Sequence, residues 1–284
     1  MPQDIRNLAH IDHKDVVGLN FIRSDGKYIF RRHFRQGLRS HILEILDPAD
    51  IEVERSGAMV DGVLHFPKAQ PKKMLRIFRT RLSCLDEALA EIQRLKIAEH
   101  FLTPEFVAQS TEIIVEYHGP GTRVPLLCGI QEYVVGAILD PWNVLDSATL
   151  LSVLYDSLAA HVSGFSISRD RWFSAVREYG SQFIEQTRKM ILQGRHIPDL
   201  AGVGNILVTP SGRLKLVDIN NISEISLDDA IRLDDRSYPV CDKSVEALAL
   251  IEEKLLGRTI ELSDPIYEIF LTPERKRKLQ KLVF

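Results

Sequence analysis

Alternating apolar and polar positions fill most of the first half of the chain, and helical spacing takes over in the second. Val16 to Phe34 alternates on both sides of Ser24-Asp25-Gly26-Lys27, whose Asp-Gly pair predicts a hairpin turn. Leu38 to Leu46 carries weak helical spacing that ends at Asp47-Pro48. Ile51 to Phe66 predicts a second hairpin with glycines in its middle, and Lys73 to Arg81 alternates as a further strand. Apolar residues at helical spacing predict a helix over Leu85 to Phe101. Two strands follow, around Phe106 to Tyr117 and Leu126 to Val135, separated by a Gly-Pro-Gly turn.

Beyond Pro141 the period changes. Leu150 to Val162 and Trp172 to Leu192 predict helices, and Asn205 to Val208 with Arg213 to Val217 predicts a short hairpin across Thr209-Pro-Ser-Gly212. Val245 to Leu256 predicts an amphipathic helix closed by Gly257. Strands segregated ahead of helices predict an α+β fold of two lobes with the break near Gly136 to Trp142.

Composition refines this picture modestly. The 284 residues are 45% hydrophobic and 26% charged, with a net charge of −3, which is an ordinary globular balance without a global pull toward nucleic acid or anionic membrane. Cys84, Cys128 and Cys241 are far apart, with no metal-type spacing, which fits a reducing compartment. No secretory leader pattern opens the sequence and no apolar run is long enough for a membrane helix, so a cytoplasmic protein is expected. The basic stretch Arg23 to Arg39, interleaved with Phe21, Tyr28, Phe30 and Phe34, reads as a hairpin with aromatics inward and arginines outward. Nucleic-acid binding through it is the weaker reading. Arg275-Lys-Arg-Lys278 reads as the solvated face of a terminal helix.

Candidate chemistry concentrates in His196 to Asn221, HIPDLAGVGNILVTPSGRLKLVDINN. Phosphoryl transfer needs a carboxylate to orient the attacking hydroxyl, and an amide oxygen with a second carboxylate to hold Mg²⁺ against the phosphates. Asp199, Asn205 and Asp218 are those residue types in that order, and the hairpin between the last two would bring them to one edge.

This segment resembles the catalytic loop and metal-binding segment of the protein-kinase superfamily, H-R-D-x-x-x-x-N followed by a hairpin and D-F-G. The resemblance implies a bilobal kinase-like fold, strand-rich then mainly helical. Residues 1–48 would be an N-terminal extension, 49–136 an N-lobe and 137–284 a truncated C-lobe. It implies Asp199 as catalytic base, Asn205 and Asp218 as Mg²⁺ ligands, and Leu207 as the apolar floor beneath the adenine of ATP. Gln131-Glu132-Tyr133-Val134-Val135-Gly136 resembles the hinge, where backbone groups of Glu132 and Val134 would meet the adenine edge. Glu91 suits the αC glutamate. Gly57 and Gly62 take the first and third positions of a degraded Gly-rich loop, and ATP would lie between the lobes beneath it. Asp242 to Ile251 resembles the start of the buried αF helix. The match spans about residues 50 to 257.

The departures are informative too. Counting from Gly62, the phosphate-binding lysine position falls on Arg79, with Lys73 on the same strand face as the fallback and Arg76 between them. The loop from Asp199 to Asn205 has one extra residue, the HRD arginine is missing, and Asp218-Ile-Asn220 replaces D-F-G. Two functions are therefore carried forward. The first is an ATP- and Mg²⁺-dependent phosphotransferase acting on an unidentified small hydroxylated molecule or protein. The second is a pseudokinase that serves as a nucleotide-binding or regulatory module.

Overall fold

Five strands scattered over a hundred residues assemble into one antiparallel sheet, in a computed structural model that describes residues 4–23, 26–34, 37, 39–119 and 121–282. The chain divides into two units, residues 1–93 with 109–133 and residues 94–108 with 134–284. The architecture is α+β.

In the first unit, a short helix α1 (His13–Val17) starts at an Asp12/Asp15 capping box. It is followed by β1 (Ile29–Arg32), β2 (Ser40–Leu46), α2 (Pro48–Ser56), β3 (Ala58–Val60), β4 (Val63–His65) and β5 (Lys73–Phe78). Helix α3 (Leu85–Phe106) then leads into β6 (Ser110–Gly119) and β7 (Thr122–Gln131). The main sheet has the order β1-β2-β5-β7-β6, and β3 and β4 pair only with each other.

Period-two alternation sorts the main sheet into two unlike faces. Leu43, Ile45, Leu75, Ile77, Leu126 and Cys128 point to one side and form a core with Ile5, Ile11, Val16 and Leu19 of the N-terminal segment. On the other side Phe78 and Leu127 pack on Ala88 and Ile92 of α3, and Leu46 packs on Ile51 and Ala69. Polar residues occupy the middle of that second face: Arg31, Glu44, Arg76, Gln131 and Glu112. Arg31 fastens α2 there, bonding Glu44 at 2.7 Å, Glu54 at 2.9 Å and the Ala69 carbonyl at 3.2 Å. Burial alone would raise the Glu44 pKa, but the bonds from His33 and Arg31 outweigh it and hold the carboxyl below its ordinary value.

The N-terminal segment is held by polar bonds as well as by its apolar residues. Ile5 N donates to Tyr117 Oη at 3.1 Å, His41 Nε2 donates to the Ile5 carbonyl at 2.9 Å, and Arg79 Nε donates to the Arg6 carbonyl at 3.1 Å. His41 is buried, and burial holds its pKa below the ordinary histidine value. Unfolded histidine takes up a proton near pH ~6.5, so the unfolded chain binds more protons than the folded one below that pH. The stabilisation from neutral His41 should be complete above that pH and drain away as pH falls through and below it. Urea midpoints at pH 7.5 and 5.5 are the check: the advantage of wild type over His41→Gln should shrink at the lower pH. An equal gap at both would refute it.

The second unit begins with β8 (Ala137–Ile138), α4 (Ser147–His161) and α5 (Arg169–Leu192). Strands β9 (His196–Pro198), β10 (Ile206–Val208), β11 (Leu214–Leu216) and β12 (Ile222–Glu224) follow, then helices α6 (Val240–Leu256), α7 (Pro265–Phe270) and α8 (Pro273–Gln280). The strands make two small sheets, β11-β10-β8 and β12-β9. Helix α6 is the hub. Val245, Leu248, Ile251 and Leu255 are buried in the core with Phe183 and Ile184 of α5 and Leu150 and Leu154 of α4, and Gly257 ends it in a left-handed cap at φ 64°. The C-terminal end of α3 belongs to this core through Leu95, Ala98 and Leu102, with a break at Thr103 (φ 58°) just before Pro104.

Several sequence expectations change. Residues 13–17 are helical, and of the expected first turn Ser24 and Asp25 lie outside the described residues, as does Pro120 of the Gly-Pro-Gly turn. The segment from Ser40 to Leu46 is a central strand, because burial on both faces gives an apolar run that imitates helical spacing. The first half of the expected second hairpin, Ile51 to Ser56, is instead part of α2, capped by Asp47 with Pro48 at its first position. Residues 1–48 are no extension, since β1 and β2 pair into the same sheet as β5. Phe30 is buried, but Phe34 is 74% exposed, so the aromatics of that stretch do not all point inward. Arg275 is buried, whereas Lys276, Arg277 and Lys278 are solvated as expected. Among the described residues no helix is long and apolar enough to cross a membrane.

Candidate functional site

In the second unit, local hydrogen bonds fold 199–221 back on itself. The backbone N–H of Asp199 donates to the Asn221 carbonyl at 2.9 Å, extending the β9–β12 ladder by one rung. Asn205 Nδ2 donates to the Asp199 carbonyl at 2.9 Å and closes the loop between them. Across the β10–β11 hairpin, Val217 N donates to the Asn205 carbonyl at 2.8 Å, which sets Asp218 one residue beyond Asn205 at the same hairpin end. Asp199, Asn205 and Asp218 are thus brought together by backbone geometry. Position 202 suits glycine alone: a Cβ there would sit 2.4 Å from Asn205 Nδ2 and block the amide where it crosses the loop.

The Asp199 carboxylate is held from three sides. Its Oδ1 accepts from Ala201 N at 3.0 Å and Gly202 N at 3.2 Å, and its Oδ2 accepts from Asn221 Nδ2 at 2.9 Å. Ser244 on α6 supports the same loop through Oγ, which accepts from Leu200 N at 3.2 Å. Asn221 and Ser244 escaped the sequence reading, because an asparagine after a turn and a serine inside a helix carry no sequence-level signal of their own.

Asn205, donating through Nδ2, has its carbonyl oxygen as the potential metal-binding atom, and Asp218 offers a carboxylate, so both donors are hard oxygens that suit Mg²⁺. Among the described residues there is no cluster of three or more His, Cys, Asp or Glu side chains able to hold a metal ion. A pair of this kind leaves the rest of the coordination shell to waters and substrate phosphates. Leu207 is buried in β10 opposite Ile138, and Gly136 permits the close approach of that strand, since its Cβ would lie 2.9 Å from Leu207 Cβ and from the Val208 carbonyl. Val134 opens the second segment of this unit, two residues before Gly136.

The first unit redistributes the other expected residues. Arg79 lies just past β5 on the apolar side of the sheet, bonded to Arg6, whereas α3, which carries Glu91, packs on the opposite face. Arg79 and Glu91 thus belong to opposite sides of the sheet. Lys73 shares the Arg79 parity and is exposed. The basic residue on the α3 side is Arg76, 2% exposed, with Nη2 at 2.9 Å from Glu112 Oε1 and 3.0 Å from Ser110 Oγ. Gly129 stands between the two charged residues in register, and a Cβ there would come within 3.1 Å of Arg76 Nη2. A lone glycine within a strand run signals such a close approach, and this one was legible in the sequence. Glu112 Oε2 is buried without a hydrogen-bond partner.

Gly57 and Gly62 have local explanations. Gly57 (φ 80°) ends α2, and Gly62 (φ 78°) follows Asp61 (φ 49°) in the two-residue turn between β3 and β4. Glu132 N donates to the Gln109 carbonyl at 2.8 Å. Its side chain accepts from Gln109 N at 3.0 Å. No protein-family model matches the sequence, and the search of curated proteins finds no match either.

Proposed function

We propose that this chain is a kinase-like ATP- and Mg²⁺-dependent phosphotransferase acting on a hydroxylated acceptor. The observation that carries the reading is the convergence of Asp199, Asn205 and Asp218 at one end of the β10–β11 hairpin. Supporting it, β5 is the third strand across the sheet and is followed by a helix, the position from which kinases present their phosphate-binding cation. Arg76 replaces Arg79 in that role. In this reading Asn205 and Asp218 hold Mg²⁺, which neutralises charge on the transferring phosphoryl group. Asp199, fixed by its three N–H donors, orients the acceptor hydroxyl and takes its proton.

That same fixation favours a second reading. A carboxylate whose two oxygens are already engaged by the chain's own N–H groups has less room to engage an acceptor hydroxyl, which suits a pseudokinase that binds nucleotide without turning it over.

Thermal-shift titration with ATP, with and without Mg²⁺, and a γ-phosphate transfer assay separate the two. A phosphotransferase should be stabilised more by ATP with Mg²⁺ than without. Asp199→Asn should keep that shift and lose roughly 10²–10⁴-fold in turnover. Binding without turnover by wild type selects the pseudokinase, and the absence of any nucleotide shift removes both.

A further inference from the structure

Three asparagines lie in the segment from Asp199 to Asn221: Asn205, Asn220 and Asn221. Two of them are accounted for by Asp199. Asn205 Nδ2 donates to its carbonyl and Asn221 Nδ2 to its carboxylate. Asn220 makes neither bond. Its Oδ1 is buried, with no hydrogen-bond partner among the described residues. A polar atom shut away from water without a partner costs about 1–3 kcal/mol, and folded proteins keep few of them. Such an oxygen calls for an explanation.

Its place in the chain supplies one. Asp218, Ile219, Asn220 and Asn221 form the turn between β11 and β12, and Ile219 anchors that turn in the core at 1% exposure. The backbone N–H of Asn220 donates to Asp218 Oδ1 at 3.4 Å, so the carboxylate leans over the turn toward residue 220. At the other end of the turn, Asn221 grips Asp199 through its backbone carbonyl and its side chain. Asn220 therefore stands between the carboxylate read as a metal ligand and the residue that holds the proposed base. An amide oxygen is a hard donor, of the same class as Asn205 Oδ1 and the Asp218 carboxylate, and such donors suit Mg²⁺. The resemblance to D-F-G puts a glycine, with no side chain, at this position. Asp218-Ile219-Asn220 instead adds an oxygen there, beside a pair that carries a single carboxylate.

We propose that Asn220 Oδ1 is a third protein oxygen of the divalent-cation site, joining Asn205 and Asp218. The inference rests on the reading of those two residues as metal ligands, and is indifferent to whether phosphate is transferred. The rest of the octahedral shell falls to waters and nucleotide phosphates.

Mn²⁺ titration of the full chain with a non-hydrolysable ATP analogue, followed by loss of the free-ion electron paramagnetic resonance signal, is the test. Wild type should bind Mn²⁺, and Asp218→Ala should bind it far more weakly. Asn220→Ala should weaken binding roughly tenfold or more, at least the effect of losing an outer-shell partner. Asn220→Asp keeps an oxygen and adds charge, so it should bind at least as tightly as wild type. Unchanged affinity in Asn220→Ala beside weakened binding in Asp218→Ala overturns the proposal: Oδ1 then accepts from water, and the Asn205 and Asp218 pair stands. An Asn220→Asp chain that binds no better than Asn220→Ala overturns it too. Absence of Mn²⁺ binding by wild type removes the metal-ligand reading itself, and the proposal with it.

Discussion

Arg275→Ala should cost about 3–5 kcal/mol of folding stability, the range for breaking one side of a buried ion pair. Arg275 and Asp242 are 5% and 2% exposed, with Nε donating to one carboxylate oxygen and Nη2 to the other. The same guanidinium donates to the Asp228 carbonyl at 2.7 Å and the Ala230 carbonyl at 3.0 Å and lies over the Phe270 ring. It thus joins α8, the start of α6 and the segment between β12 and α6. Truncation leaves Asp242 charged, buried and unpartnered, and that desolvation is the larger part of the cost. Arg275→Met with Asp242→Leu should recover part of the loss, since apolar pairs often replace buried ion pairs without penalty. Recovery should be incomplete because the two carbonyls keep no donor. Urea unfolding checks both numbers. A loss below about 1 kcal/mol in Arg275→Ala would place the pair among ordinary surface bridges.

The helical half of the fold was legible because its helices carry strong periodicity and ordinary ends. Predicted Leu150 to Val162, Trp172 to Leu192 and Val245 to Leu256 coincide closely with α4, α5 and α6. The strands of the first unit were harder to read. Residues 40–46 face a core on one side and polar residues half-hidden beneath α2 on the other, so the two-residue alternation that identifies a strand is blurred. Placing the hairpin glycines in a nucleotide-covering loop followed from the resemblance to a Gly-rich loop. Spacing cannot see that α2 and its hairpin are inserted between two strands that pair directly, β2 and β5. The folding of the second-unit candidate residues was legible because it is local: Asp199, Asn205 and Asp218 span twenty residues and are joined by turns that the Gly, Asn and Pro pattern announces. Which of the three basic residues faces α3 was left open by the sequence. Residues 73, 76 and 79 look equivalent in a basic run, but only register and the helix-bearing face separate Arg76 from the other two.

That separation sets up the second large effect. Arg76→Met should lower stability by about 3–5 kcal/mol, because Glu112, whose side chain is 2% exposed, is stranded without its counter-ion. Adding Glu112→Leu should restore most of this, since two apolar side chains on either side of Gly129 fill the same layer without a charge to solvate. The recovered double variant then isolates function from folding. If Arg76 is the phosphate-binding cation, ATP affinity in the double variant should fall roughly 10- to 100-fold, the worth of hydrogen bonds to a charged group, even though the fold is intact. If the pair only staples β5 to β6 across β7, the double variant should bind ATP as wild type does. Isothermal titration on three chains (wild type, Arg76→Met, and the double variant) decides this. Equal affinities in the first and last would remove Arg76 from the proposed chemistry while leaving Asp199, Asn205 and Asp218 in place.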